Sequence, residues 1–373
     1  MRESMTLRLL GITSLALALG ISSACDQLLQ VENPGSVGED ALQSEEALPV
    51  LVDGVYGDLQ DAYDEVVLLS GLFTDELVHS GSFPTFMQID DRTITADNVS
   101  LLDLYQEIAT ANFSADQAVE NIRATLGADA ESSPLLAEAL ALGGYARIFF
   151  ADNFCQATID AGPALSPETL YQQAEDLFTQ AIQVATTAGE EDLLDLALVG
   201  RARTRLNLGD LSGAATDAAL VSDDFVFLIE FATTSDRENN EVVVFTVDRR
   251  EASIGDPFRN DARIPQCSVH PTSTVGPCDF ATEGELGPDN ETPLFVQLVY
   301  LDQETDIPLA TGAEADLIEA EALGQDVSED RAFDLYLRGQ RLADFRRTDD
   351  PFLAGGDACF PIPEREVDTN PNL

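Results

Sequence analysis

Carboxylates and thiols are the side chains whose number and spacing could do chemistry in this chain. Its 373 residues hold 68 acids, five cysteines and two histidines. Paired carboxylates can serve glycoside hydrolysis, but with so many acids a pair at any useful spacing arises by chance. No Gly-x-Ser-x-Gly, no Walker loop and no His-Glu-x-x-His occurs in the sequence. The expectation is a protein that is not an enzyme and that needs neither a cofactor nor a metal. Cys155, Cys267, Cys278 and Cys359 form an even set, which in an oxidising compartment points to two disulfides. Cys267 and Cys278 enclose Pro271, Gly276 and Pro277, and closing that loop stabilises it by roughly 2 to 3 kcal/mol in the chain-entropy model. Cys155 and Cys359 are then the remaining pair. Zinc is the rival use of these thiols, but no two of them are close in sequence and only His79 and His270 could join them.

The fifth thiol has a different setting. Arg2 and Arg8 flank the start, an apolar run extends from Leu9 to Ile21, and Ser22, Ser23 and Ala24 lead directly to Cys25. Residues 1–24 read as a signal peptide, so the mature chain is expected to be exported. The run is too short to span a bilayer, and no other stretch reaches the roughly 20 residues a membrane helix needs. The small-residue site before Cys25 resembles a lipobox, at which a bacterial lipoprotein is diacylated on the thiol, although Ser22 stands where Leu or Val is usual. Acyl chains at about 0.8 kcal/mol per buried CH₂ would hold the protein to a membrane.

The formal net charge is −49, and all 19 basic residues are Arg. Such a charge speaks against nucleic acid as a partner. Self-repulsion on this scale predicts a fold that relies on counterion screening, and so a salty habitat.

The elements that must carry these groups are mainly helical. Ala and Leu dominate the 45% hydrophobic fraction and only 7% of residues are aromatic, a balance that favours packed helices. Residues 25–44, with Pro34, Gly35 and Gly38, suit a flexible tether, and 45–373 reads as a single domain. Leu48, Leu51, Val55, Leu59 and Tyr63 make one helical stripe. Ser70 to Thr95 reads as a long loop, followed by helices over Leu102 to Leu126 and Pro134 to Phe150. In the latter, Gly143 and Gly144 allow a close neighbour. Ser166, Pro167 and Glu168 start a helix that extends to about Thr187. Between Leu193 and Val221, Gly209 and Asp210 divide two helices, and the small residues of "LNLGDLSGAATDAAL" resemble a tetratricopeptide repeat. Helix pairs over about 134–221 therefore suggest a short solenoid. From about 236 to 308 the spacing predicts irregular structure with a small β-hairpin, its strands at Val242 to Val247 and Leu294 to Tyr300. Helices resume over Gly312 to Leu323 and Glu329 to Arg346. In the last helix Asp334 with Arg338 and Arg341 with Asp344 are spaced for ion pairs, Gly339 permits a close crossing, and Glu319 and Glu321 could meet its arginines.

The C-terminal region, 310–373, resembles the SusD/RagB family, through "ATGAEADLIEAEAL", "RAFDLYLRGQRLADFRR" and above all "FPIPEREVDTNPNL", where Ile362, Pro363, Glu366, Asn370 and Pro371 follow the family's closing pattern. The resemblance implies a SusD-like tetratricopeptide-type helical core. It also implies a nutrient-binding lipoprotein of the outer membrane, exposed to the cell exterior, which passes ligand to a SusC-like TonB-dependent transporter. Family ligands are oligosaccharides or peptides. Sugar sites commonly stack rings on aromatics, and this chain has no Trp. Phe83 and Phe86, with Asp75, Glu76 and Arg92 as polar contacts, are the candidates for a ligand platform. The competing reading is a periplasmic tetratricopeptide scaffold lipoprotein that binds other proteins.

Overall fold

Each long helix forms where an apolar stripe recurs at three- and four-residue steps, and each stops at a cap or a glycine. The computed structural model describes residues 44–279 and 286–373; the signal peptide, Cys25 and all but the last residue of the expected tether lie outside the described residues. The order begins α1 (Leu48–Phe73), β1 (Leu77–His79), α2 (Pro84–Asp90), α3 (Val99–Leu126), α4 (Pro134–Asn153), α5 (Pro167–Ala188), α6 (Glu191–Leu208), α7 (Leu211–Ala218) and β2 (Val226–Ile229). It continues α8 (Glu241–Val243), β3 (Ala252–Ile254), β4 (Gln266–Ser268), β5 (Phe295–Gln297), β6 (Ile307–Thr311), α9 (Gly312–Ala322), α10 (Ser328–Asp334), α11 (Arg341–Arg347) and α12 (Glu364–Thr369). Residues Glu45–Leu373 cluster as one unit.

The fold is mainly α, with a core of packed helix pairs. Ser166 Oγ accepts the Thr169 N–H to open α5, and Asp210 accepts the Gly213 N–H to open α7. Between α6 and α7, Gly209 takes the left-handed conformation at φ 80°, so two residues suffice to turn the chain back. α4 packs against α3 on one side and α5 on the other, and α5 in turn packs on α6. The reason is side-chain size. A Cβ at Gly144 would come within 2.6 Å of the Phe178 ring and one at Gly200 within 2.3 Å, so these two glycines make the slot that the ring of α5 fills. Tyr145 meets the same ring edge-on at 5.1 Å and anchors its hydroxyl on the Leu196 carbonyl. By length and composition α4 could cross a membrane, contrary to the expectation that no stretch beyond the N-terminus reaches that length; with 83% of its apolar window buried, it is the central core helix.

The strands are short and pair over long sequence distances. β1 pairs with β3, β2 with β6, and β4 with β5, all antiparallel. The β4–β5 pair matches the small sheet expected near Leu294 to Tyr300, with Cys267 opposite Val296. Its other expected strand is corrected. Val242 to Val247 is helical, as α8 runs into a π-helical turn over Val244–Asp248. Asn240 caps this turn by accepting the Val243 N–H and donates to the Thr305 carbonyl, and burial of Val242 and Val243 overrides their β preference.

Two further expectations are corrected. Ser70 to Thr95 is not a single loop, because it contains the end of α1, β1 and α2. The helix expected from Glu329 to Arg346 is broken between α10 and α11, where Leu337 and Gly339 take φ values of 55° and 70°. A Cβ at Gly339 would lie 2.9 Å from Val66, so the close crossing is made with α1. Leu337 is fully buried, and its N–H donates to Glu76. The break changes the ion pairs as well. Asp344 pairs with Arg331 and Arg347, and of Glu319 and Glu321 on α9 it is Glu321 that meets both of those arginines.

Candidate ligand-binding site

The five residues singled out as a ligand platform are placed by β1, α2 and the turn after it, and most of them hold the fold together. Phe86 is 3% exposed and packs on Phe245 at 4.8 Å, while Phe83 is half-buried beneath the Arg249 guanidinium. The rings fix α2 against the π-helical turn, and the buried Phe86 offers no face to a ligand. Glu76 is buried too. It accepts the Leu337 N–H, and its backbone carbonyl accepts the Tyr336 hydroxyl. Burial pushes its carboxyl up to about 7, against the pull of Arg341. Asp75 stands at φ 58° with its carbonyl pressed against Gly255, and burial raises its carboxyl while Arg92 and Arg341 act to lower it. Arg92 donates to the Phe352 carbonyl and lies 4.3 Å from the centre of that ring. These contacts join β1 and α2 to the C-terminal region and leave no open platform at Phe86 or Glu76.

The four paired thiols are taken up. Cys155 joins Cys359 with Cα atoms 5.2 Å apart, and Cys267 joins Cys278 at 5.1 Å. Neither pair leaves a thiolate for zinc.

Two open hollows border α3, and Gln106 and Thr110 line both. The larger, about 530 Å³, lies between α3, the turn at residues 158–161 and α12. Its floor is a chain of hydrogen bonds. Tyr105 and Thr158 hydroxyls are 3.0 Å apart, Thr158 Oγ1 donates to Glu366 Oε1 at 2.7 Å, and Asn370 Nδ2 donates to the same oxygen at 2.9 Å. Asn370 also donates to the Gly162 carbonyl, so the closing sequence pattern holds the C-terminus onto this turn. Phe113 stands at the rim, 52% exposed. The apolar stripe of α3 runs through Leu104, Ile108, Ala111, Ala115, Ala118 and Ile122. Phe113 lies off it, and an aromatic on the polar side of an amphipathic helix was the signal that could have marked this place in the sequence.

The smaller hollow, about 170 Å³, is acidic, lined by Asp58, Asp61, Asp103 and Glu107. Arg237 bridges Asp58 at 2.6 Å and Asp61 at 2.9 Å. Burial, reinforced by Asp61, Asp103 and Glu241, pushes the Glu107 carboxyl up to about 8, and its Oε2 has no hydrogen-bond partner. Desolvation also raises the carboxyls of Asp64 and Glu65 on the facing side of α1.

No family model matches this sequence, and no curated protein matches it. Solved structures do. A SusD homolog from Bacteroides thetaiotaomicron superposes with a TM-score of 0.66 at 15% identity, over 88% of this chain and 96% of that one. A SusD-like carbohydrate binding protein from Bacteroides vulgatus gives 0.59 at 15% identity, over 81% and 83%. A laminarin binding SusD-like protein gives 0.55 at 14% identity, over 88% and 100%. At these identities the likeness is one of fold, and it spans both the helical core and the irregular region packed on it: this chain has the SusD fold.

Proposed function

We propose that this chain belongs to the SusD/RagB family and is a non-catalytic lipoprotein of the outer membrane, captures oligosaccharide outside the cell and delivers it to a SusC-like TonB-dependent transporter. The observation that carries the proposal is the fold, shared over nearly the full length of SusD-like structures. Two of those structures are named as carbohydrate or laminarin binders, which favours glycan over peptide as the ligand. Cys25 at the end of the expected signal peptide supplies the lipid anchor. The interior supports a passive role. Its most buried ion pair is tied into the framework: Arg203 grips Glu314 through two bonds at 2.7 and 2.8 Å and also donates to the Leu309 carbonyl. A rigid body of this kind suits a surface that docks and releases a ligand.

The test is made on intact cells and on membranes. Protease shaving should release the chain from the cell surface, and detergent-solubilised outer membrane should carry it in one complex with a barrel of transporter size. Protection of the chain from external protease, together with the absence of any barrel partner, would overturn the proposal in favour of a periplasmic scaffold.

A further inference from the structure

The proposed function leaves open where a ligand would sit, and the residues expected to form a platform are largely buried. Resting on that reading, we infer that the larger hollow beside α3 is the glycan-binding site, taking a neutral oligosaccharide with one sugar ring laid on Phe113.

Five observations converge there. Phe113 is the one aromatic side chain in the exposed class among the described residues, and it stands on the polar side of its helix. The apolar face of a pyranose covers such a ring as another aromatic would, removing both from water. Beside it are polar groups with capacity to spare: the Gln106 amide and the exposed Asp160 carboxylate have no partner among the described residues, and Glu366 uses only Oε1 toward Thr158 and Asn370. Sugar hydroxyls donate to carboxylates and both donate to and accept from an amide.

The place is also set before a ligand arrives. The chain from Tyr105 through Thr158 and Glu366 to Asn370 fixes the floor, and the Cys155–Cys359 disulfide ties the start of the turn to the segment leading into α12. Asp160 and Ala161 are held at φ 49° and 53°, which aims the turn toward the groove. Preorganisation of this kind lowers the entropy lost on binding. Charge excludes one class of ligand. Asp160 and Glu366 are the charged residues of the lining and both are acidic, so anionic sugars are repelled. A volume of about 530 Å³ falls within the range of small-molecule sites.

The experiment uses the mature chain purified from outer membrane, titrated calorimetrically with laminarin oligosaccharides and a panel of neutral α- and β-linked glucans and mannans. Wild type should bind at least one of them. Phe113→Ala should weaken that binding about tenfold at unchanged melting temperature, and Phe113→Trp should restore it. Asp160→Ala should weaken it in the same direction. A glycan bound equally well by wild type and Phe113→Ala would overturn the groove and leave the capture function standing. Failure of wild type to bind any glycan in the panel would overturn both. An arginine-rich peptide held through Phe113, and not displaced by any glycan, would replace sugar with a basic peptide and also overturn the inference.

Discussion

Replacing Glu107 with Gln should stabilise this protein at neutral and alkaline pH and leave it unchanged in acid. Glu107 lies on α3 in the smaller hollow, with Asp61 of α1, Asp103 of α3 and Glu241 of α8 acting on it and Arg237 as the opposing cation. Its carboxyl is raised from 4.5 to about 8 in the fold. A carboxyl raised by folding adds no cost below its unfolded value, where both states hold the proton. Above that value the unfolded chain has released a proton that the folded chain retains, so stability falls as pH rises from 4.5 and levels off near 8. Each pH unit in that window is worth about 1.4 kcal/mol, which makes the ceiling at pH 7 about 3 kcal/mol. Solvent screening of a side chain that is not fully buried reduces this to about 1 to 2 kcal/mol. Gln keeps the shape and removes the ionisation. Urea unfolding of the two proteins at a fixed high salt concentration, from pH 4.5 to 8.5, measures the gap directly. The gap should be near zero at the acid end and grow to its full size by pH 8. A gap of constant size across the range, or a Gln variant that is less stable at pH 8, would refute the reasoning.

Breaking the buried pair by Arg203→Met or Glu314→Gln leaves an unmatched charge or a severed bidentate contact between α6 and α9, and should cost about 3 to 5 kcal/mol in urea unfolding. Removing Cys155–Cys359, which closes 204 residues, should cost about 5 kcal/mol, against about 3 kcal/mol for Cys267–Cys278, which closes 11; paired Ser variants compared by denaturant midpoint would show the order. With a formal charge of −49, the melting temperature should climb between low and molar salt, and a flat profile in calorimetry would remove self-repulsion from the account.

The helical half of the fold was legible because its signals are local. The stripe of α1, the Ser166 cap of α5 and the Gly209–Asp210 break between α6 and α7 each act within a few residues, and each stands where the sequence places it. The rest depends on distant partners. β1 is three residues long and exists because β3 runs beside it, and β2 waits for β6 some eighty positions later. Val242 to Val247 has the composition of a strand but is held as a helical turn by Asn240 and the Thr305 carbonyl. Glu76 looked available because Ser70 to Thr95 reads as a loop, whereas the buried Leu337 N–H, far away in sequence, claims it. The same blindness hid the groove, because Glu366 and Asn370 meet Tyr105 only after the C-terminus has folded back.

The exclusive use of arginine follows from where positive charge is needed. In a chain with this excess of acids, a cation is most useful where it can satisfy several acceptors at once, and a planar guanidinium does so with fixed geometry that an ammonium lacks. Arg203 meets both oxygens of Glu314 and a carbonyl, Arg346 gathers the carbonyls of Ala151 and Asp152 at the end of α4, and Arg347 bridges Glu321, Asp344 and Asn207. Others lie on rings, as Arg249 does on Phe83 and Arg341 on Phe345. Arginine so placed serves the interior and the seams between elements, and the hollows beside α3 keep their carboxylates. Such surfaces repel nucleic acid and acidic glycans alike.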